Sequence, residues 1–562
     1  MQMLEEIRYN HKKRKLLLST VSGVASTKPN LIRFFDSEVS AVGIITTKSF
    51  QLAPNPGNRE PVITEPETGC FGNSVGLRNP GLDKALAEIR ELRAGRKFRC
   101  LLNISVSASS IGDFAILVKS FEPYADSIEL NFSCPHAAAG YGAAIGSSAE
   151  IAAEYVRGIR AACPNMRCPL FAKLTPNVPD IASIAKAVVE AGADGITAIN
   201  TAGPDVYMVD GHVVLNNSLN GRGGRSGGWV RQIALEAITE IRKAIGDDLI
   251  IIGEGGVSTG EDAARMICCG ADAVGIGSSV AMVNQILWPE YFAAVKSDGE
   301  AVLAGKANPD VSSSYLSTDN KMHYERHCII DVLHHDDATV VLTLDGTMDS
   351  QAGQFAFIWI PEIGEKPFSV ATNQPLRFII KNRGPFTEKC MDLRKGDSIY
   401  VRGLYGKPVE IVNRKNAILL AGGTGEAVLG ELAPKLRAEG ISVSTYVGVT
   451  SHNGGVLKEF LSQFGSYHDV EDCGVPGRVL GSIVIEEPKD TAVYIVGPEI
   501  FMAKAAQMFH QMGVDDDCIL ISMEKNSMCG IGLCGECECH GRLTCQHGTF
   551  MNYRFLHGEG VI

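Results

Sequence analysis

The residues best placed for chemistry are five cysteines near the end of the chain. Cys529, Cys534 and Cys537 stand at C-x4-C-x2-C spacing, and Cys539 and Cys545 follow. This is the plant-type [2Fe–2S] spacing, in which four thiolates converge on two irons. The glycines between them let the backbone wrap closely around the sulfides. A structural zinc site usually shows two separated C-x2-C pairs, and a disulfide framework belongs to small secreted domains in oxidising compartments. Cys539 lies so soon after Cys537 that ligation by both is a tight reach. Cys545 is therefore taken as the fourth ligand, with Cys539 as the alternative. A cluster of this kind moves one electron at a time, so the rest of the chain must hold an electron donor and an acceptor.

The elements that position such a centre must be sizeable. The chain has 562 residues, 45% hydrophobic and 21% charged, with a net charge of −12. The length allows three or four domains, and the acidic balance argues against nucleic acid or an anionic membrane as partner. Apolar runs are strand-length, well short of the roughly 20 residues of a membrane helix. Residues 1–15 carry both charge signs and no apolar signal core, so the sixteen cysteines are expected in the reducing cytoplasm.

From about residue 20 to 290, short apolar strands (42–46, 99–104, 127–132, 170–174, 195–200, 249–253 and 273–276) alternate with helical patterns such as 151–162 and 181–191. Repeated strand–helix units mean a parallel sheet, and polar or glycine-rich residues after each strand suit the active end of a (β/α)8 barrel. The expected division is a barrel over 1–300, a linker over 301–325, a small antiparallel β-barrel over 326–410, a nucleotide-binding α/β domain over 411–520 and a cluster-binding tail over 521–562. Strands in the third segment are expected at 329–332, 338–344, 355–360, 377–381 and 398–401.

Within the barrel half, Thr47-Lys48-Ser49, the run Gly72 to Gly81, Asn131-Phe132-Ser133-Cys134-Pro135-His136, Lys173-Leu174-Thr175-Pro176-Asn177 and Asn200-Thr201 follow one another. Gly253-Glu254-Gly255-Gly256 and Gly275-Ile276-Gly277-Ser278-Ser279 sit where barrels bind a phosphate through backbone N–H groups. A lysine near flavin N1 would stabilise the reduced ring. Cys134, at a strand's C-terminal end, can exchange a proton near neutral pH.

This ordered set resembles the dihydroorotate dehydrogenases and the pyrimidine-reducing domain of dihydropyrimidine dehydrogenases. The resemblance implies FMN, with Cys134 as general acid/base on a loop over the substrate. It implies flavin contacts at Ser22, Gly23, Lys48, Asn103, Asn131, Lys173, Gly227, Gly255, Gly256, Gly277 and Ser278. It implies substrate contacts at Lys48, Asn73, Asn131, Asn200 and Thr201. His136 stands where the orotate enzymes usually have asparagine, and Arg225 where an apolar residue is common. The stretch 207–220 is longer and more polar than in the orotate enzymes. Arg225 could receive a substrate carboxylate or be solvated, so the ring substrate stays open between dihydroorotate and a dihydrouracil type.

In the second half, Glu365-Lys366-Pro367-Phe368-Ser369-Val370, Gly384-Pro385-Phe386-Thr387, Arg402-Gly403-Leu404-Tyr405-Gly406, Ala421-Gly422-Gly423-Thr424-Gly425 and Val496-Gly497-Pro498-Glu499 occur in order. The set resembles the ferredoxin–NADP reductase superfamily, most closely the electron-transfer subunit of NAD-linked dihydroorotate dehydrogenases. It implies FAD at Lys366, Pro367, Phe368, Ser369, Gly384 and Thr387, with Lys366 in place of the family's arginine. It implies NAD at Gly422, Gly423, Thr424, Gly425, Gly497 and Pro498. No arginine in 448–455 is available for a 2′-phosphate, which favours NAD over NADP.

The expected whole is a fused flavoprotein in which electrons run between a dihydropyrimidine-type substrate at FMN, the cluster, FAD and NAD. A homodimer through the barrels is implied by resemblance. The rival expectations are an NADH-dependent reductase of uracil, thymine or another cyclic amide, and an electron-transfer module serving a protein partner.

Overall fold

The computed structural model describes residues 2–12, 15–95, 97–132, 143–307, 309–450, 452–472 and 477–562. Two compact units divide the chain, Met1–Asn320 with Ile531–Arg542, and Lys321–Gly530 with Leu543–Ile562.

The first unit is built on eight strands: β1 (Leu18–Thr20), β2 (Val42–Thr46), β3 (Leu101–Val106), β4 (Ser127–Asn131), β5 (Leu170–Lys173), β6 (Gly195–Ala198), β7 (Ile250–Glu254) and β8 (Ala273–Ile276). All pair in parallel and close into a barrel in the order β1-β8-β7-β6-β5-β4-β3-β2. The expected barrel is observed. The expected helices lie at Ala149–Ala162 and Ile181–Glu190, opened by Ser148 and Asp180, whose side chains accept the N–H groups of Ile151 and Ser183. Strand β3 starts two residues later than 99, because the Asp36 carboxylate accepts the N–H groups of Arg99 and Cys100 at 2.8 and 2.9 Å. Strand β1 has three residues, too few to show a period.

The N-terminal helix Gln2–Lys12 lays Met3 and Ile7 onto Leu17, Leu101, Phe171, Ile250 and Ala273, near the starts of the strands. That end of the barrel is sealed with apolar side chains, and polar chemistry is left to the other end. Loops after β2 and β6 add an antiparallel sheet there, with strands Ile63–Glu67, Cys70–Asn73, Arg222–Gly227 and Ala202–Val206 in that order.

The segment Ile531–Arg542 belongs to this unit. Ala25 N–H donates to Leu533 O at 3.2 Å, Thr27 Oγ1 to Cys534 O at 3.2 Å, and the Gln285 amide to Gly541 O at 2.6 Å.

The second unit begins with seven strands: β9 (Glu325–Asp336), β10 (Thr339–Leu344), β11 (Phe355–Ile360), β12 (Gly364–Ser369), β13 (Thr372–Asn373), β14 (Leu376–Lys381) and β15 (Ser398–Tyr405). They pair antiparallel in the order β12-β11-β15-β9-β10-β14-β13 over a core that includes Ile329, Leu342, Ile358, Phe378 and Val401. Strand β12, which is not among the expected strands, carries Pro367. It is an edge strand, where a residue without N–H is tolerated.

Six further strands follow: β16 (Asn416–Gly422), β17 (Ser442–Val449), β18 (Ser466–Glu471), β19 (Thr491–Val496), β20 (Ile519–Ser522) and β21 (Phe550–Asn552). Their order is β18-β17-β16-β19-β20-β21, parallel except for the last pair. The order reverses between β16 and β19, which makes the C-terminal ends of these two strands the switch point of the sheet.

Candidate active site

Lys173 ends β5 and Glu254 ends β7. Their side chains meet inside the barrel at 2.6 Å, with both residues under 5% exposed. Glu129, in the middle of β4, is fully buried and acts on both charges. Burial alone would pull Lys173 down, but Glu254 and Glu129 outweigh it and hold the ammonium above its ordinary value. Burial, opposed by Lys173 and reinforced by Glu129, pushes Glu254 up to about 7. Both shifts are upward, that of Glu254 chiefly through burial and that of Lys173 through the two carboxylates.

A chain of hydroxyls and amides continues from Glu129 toward the barrel mouth. Ser105 Oγ donates to Glu129 Oε1 at 2.9 Å and lies 2.9 Å from Ser49 Oγ. Ser49 Oγ accepts from Asn131 Nδ2 at 2.9 Å and lies 3.1 Å from Ser22 Oγ. Asn103 is fully buried, with its amide shared among Thr46, Glu129 and Ser127. Of the expected flavin residues, Ser22, Asn103 and Asn131 thus join one hydrogen-bonded network, and Lys173 is linked to Glu129 by charge alone. Ser49, Ser105, Glu129 and Glu254 were missed as site residues. The signal for the two glutamates was a charge inside an otherwise apolar strand.

The final strands close a cavity of about 120 Å³ whose lining includes Gly227, Gly256, Ser258, Ser278, Ser279 and Arg231. Arg231 donates to Gly256 O at 2.9 Å and to Ser258 Oγ at 3.0 Å. Gly256 has φ +69°, and a Cβ there would come within 2.7 Å of the Arg231 Cβ. A Cβ on Gly227 would come within 2.1 Å of Gly69 O. Backbone lies bare around this cavity, as a phosphate requires. Gly255 and Gly277 are in the same two turns, and Gly23 has φ +83° with open space beside it. Among the described residues, Glu254 Oε1, Thr197 Oγ1 and Ser107 Oγ are buried without a hydrogen-bond partner. Orphaned polar atoms of this kind are rare in a finished fold. Together with the bare-backbone cavity they fit a polar ring and phosphate such as FMN.

The antiparallel sheet carries Asn73, whose amide donates to Gly224 O at 3.3 Å. It also carries Arg225, whose Nε lies 2.8 Å from Asp205 Oδ2, misaligned for a hydrogen bond but at ion-pair distance. Tyr207 is buried and stacks parallel to Trp229 at 6.2 Å. Asn200 and Thr201 follow β6. Thr201 N–H donates to Asn200 Oδ1 at 2.8 Å, and Asn177 donates to Thr201 O at 3.1 Å. Cys134 and His136 lie outside the described residues.

Lys48 follows β2. Burial pulls its pKa down, opposed by Glu536 and Cys534 of the tail segment. Glu536 also lies 3.2 Å from Lys28 and 3.8 Å from Arg78. Three cations thus surround one tail carboxylate in the first unit.

Comparison with known proteins bears on this half of the chain. The family model for dihydroorotate dehydrogenase matches residues 18–296. The catalytic subunit of dihydroorotate dehydrogenase B (NAD(+)) from Methanocaldococcus jannaschii is 41% identical over 243 residues, which cover 42% of this chain and 75% of that protein. The chain belongs to the dihydroorotate dehydrogenase family. A second relative, dihydroorotate dehydrogenase A (fumarate) from Lacticaseibacillus paracasei, is 37% identical over 43% of this chain and 81% of its own length. Members of the family thus differ in the electron acceptor they are named for. Among solved structures, a DHODH from Eimeria tenella in complex with ferulenol aligns at 18% identity over 56% of this chain and 94% of that one, with a TM-score of 0.43. As a dihydroorotate dehydrogenase family member the chain is an oxidoreductase, and FMN is the cofactor that the family implies.

In the second unit, Lys366, Pro367, Phe368 and Ser369 lie on edge strand β12, and Phe368 stacks on Phe386 at 6.1 Å. Thr387 Oγ1 accepts from the N–H groups of Arg383 and Gly384 at 2.7 and 3.0 Å. A Cβ built on Gly384 would meet nothing within 4 Å. Gly422 ends β16 and Gly423, Thr424 and Gly425 follow it, and Gly497 and Pro498 follow β19. A Cβ on Gly497 would lie 3.2 Å from Gly422 N, so the two turns touch at the switch point. Glu426 is buried and turned toward Tyr467, which donates to it at 2.8 Å.

The tail cysteines Cys529, Cys534, Cys537, Cys539 and Cys545 are all buried, and Gly530, Gly532 and Gly535 between them have φ of +82°, +79° and +73°. Side chains rarely adopt that conformation, and thiol-lined loops that wrap a cluster use it. Cys534 and Cys537 belong to the first unit, and Cys529 and Cys545 to the second. Among the described residues, no group of three or more His, Cys, Asp or Glu is gathered closely enough to hold a metal ion. No described helix is long and apolar enough to cross a membrane.

Proposed function

We propose that the protein interconverts a dihydropyrimidine of the dihydroorotate type and its unsaturated form, with electrons passing between FMN, a [2Fe–2S] cluster, FAD and NAD in one fused chain. The observation that carries this reading is the packing of Ile531–Arg542 in the barrel unit, through Ala25, Thr27 and Gln285. Cys534 and Cys537 of the C-x4-C-x2-C tail are thereby part of the unit that contains the family's barrel.

FMN, when bound, supplies the acceptor for hydride from ring carbon C6. The chain supplies the rest. Gly227, Gly256 and Ser278 would hold the phosphate, Lys173 and Asn131 would meet the ring, and Asn73, Asn131, Asn200 and Thr201 would orient the substrate amides. Cys134 takes the C5 proton. Lys366, Ser369 and Gly384 would hold FAD, and the Gly422–Gly425 and Gly497 turns NAD. Cys529, Cys534, Cys537 and Cys545 are the proposed cluster ligands, with Cys539 as the residue to mutate as the control. The proposal includes a homodimer through the barrels.

Cys134→Ala is expected to lower turnover by about 10²–10⁴-fold, with bound flavin still reducible by NADH. Loss of NADH-driven flavin reduction, or unchanged turnover, would contradict the assignment. Replacing Cys529, Cys534, Cys537 or Cys545 by serine is expected to remove iron and sulfide, and Cys539→Ser to retain them.

Arg225 supports a second reading. Its charge is met by Asp205, so the site has no evident need for a substrate carboxylate, and an NADH-dependent reductase of uracil, thymine or another cyclic amide fits. Turnover of dihydrouracil or dihydrothymine but not dihydroorotate would select it.

A further inference from the structure

The barrel interior holds one ammonium and two carboxylates, and only part of that arrangement is explained by packing. Glu129 is satisfied by Ser105 and Asn103. Glu254 touches Lys173 through Oε2 and leaves Oε1 buried with no donor. A buried carboxylate kept in this way is costly, because desolvation is offset only by an ion pair and full hydrogen bonding. An amide or apolar side chain at the end of β7 would meet the packing need at lower cost. Glu254 ends its strand at the mouth, directly before the Gly255-Gly256 turn that helps line the phosphate cavity. Lys173 ends β5 and is the cation proposed to face the flavin ring. An ammonium presented to the ring favours the electron-rich reduced form, and a carboxylate 2.6 Å behind it cancels part of that field.

Building on the FMN reading above, we propose that Glu254 is a positioning residue that limits the positive charge Lys173 presents to the flavin, and thereby lowers the reduction potential of the barrel flavin. It needs no contact with substrate to do so.

The test is spectroelectrochemical titration of the full-length holoprotein, with the dissociation constant of FMN measured alongside. Glu254→Gln is isosteric and removes the charge. It is expected to strengthen the hold on reduced relative to oxidised FMN by about tenfold, a rise of about 30 mV for a two-electron couple. Glu254→Asp keeps the charge but withdraws it by one methylene, and is expected between Glu254→Gln and the parent. It also carries the test if Glu254→Gln does not fold. A purely structural role would lower stability and leave the potential where it was. Parent-like potentials in FMN-loaded Glu254→Gln, or in Glu254→Asp if only that variant folds, overturn the inference and leave the cofactor reading standing. A parent protein that takes up no FMN overturns both.

Discussion

Two buried cations, one in each unit, are satisfied in opposite ways. In the second unit, Arg402 and Glu365 are both about 1% exposed. Arg402 Nε and Nη2 grip the two carboxylate oxygens at 2.6 and 2.7 Å, and Nη1 reaches Tyr405 Oη at 2.6 Å and Cys529 O at 2.8 Å. Tyr324 donates to Glu365 at 2.6 Å, and the guanidinium lies 4.0 Å from the Phe357 ring centre. Both oxygens of Glu365 have donors. In the barrel, Lys173 faces two carboxylates and leaves Glu254 Oε1 and the neighbouring Thr197 Oγ1 without partners. The saturated cluster is complete as a piece of structure. The barrel cluster leaves a carboxylate oxygen and a hydroxyl without partners. Burial and charge are alike in the two clusters, and the unmet hydrogen bonds at Glu254 and Thr197 are what differ.

The contrast can be broken most sharply at Arg402. Arg402→Met strands the Glu365 charge and is expected to cost about 3–5 kcal/mol of the second unit's stability. Arg402→Met with Glu365→Leu is expected to recover most of that loss. Chemical denaturation of the full chain, followed by probes in each unit, measures both. A single variant as stable as the parent would erase the distinction.

A smaller effect is expected at Ser105, whose hydroxyl serves the Glu129 carboxylate. Ser105→Ala should cost about 1.5–3 kcal/mol, the range for a hydrogen bond to a charged group.

The pH dependence of stability sharpens the barrel side. Glu254 is raised in the folded state, so the native protein binds its proton more tightly than the unfolded chain does. That contribution is fully present below the unfolded carboxyl value and is lost as pH rises toward about 7. Glu254→Gln should therefore show a flatter stability profile between about pH 4.5 and 7, measured by thermal unfolding across that range. A profile that parallels the parent's would show that Glu254 does not titrate there.

The smallest change in stability is expected at Thr197. Thr197→Val replaces an unpartnered buried hydroxyl with a methyl and should leave the ligand-free protein within about 0.5 kcal/mol of the parent, or slightly more stable. Any loss should appear in FMN affinity. A large loss of stability without FMN would mean that the hydroxyl has a partner in the fold itself.

Much of this was legible in the sequence wherever a pattern was long enough. The barrel follows from seven apolar runs with polar turns behind them, and β2 and β8 fall at the expected residues. The α/β sheet of the second unit follows from the same alternation. Short or exceptional elements were not legible. Strand β1 has no period, and β12 is disguised by Pro367 at an edge where proline is allowed. The substitution of partners was also hidden. Arg225 reads as a free cation in the sequence, yet Asp205, twenty residues earlier, meets it. The candidate flavin residues Lys173 and Asn131 carried a motif, and the structure sets them in one interior. Glu129 carried none, and Glu254 entered only as part of the Gly253-Glu254-Gly255-Gly256 turn, because the meaning of both depends on strands that come together only on folding.

The most direct test of the proposed function is anaerobic titration of the purified, cofactor-loaded protein with dihydroorotate, dihydrouracil and dihydrothymine, watching the flavin absorbance. The proposed chemistry predicts that at least one of these rings bleaches the flavin and that NAD restores the colour. If none of them bleaches it while NADH does, the barrel does not oxidise a dihydropyrimidine and the protein serves another electron acceptor.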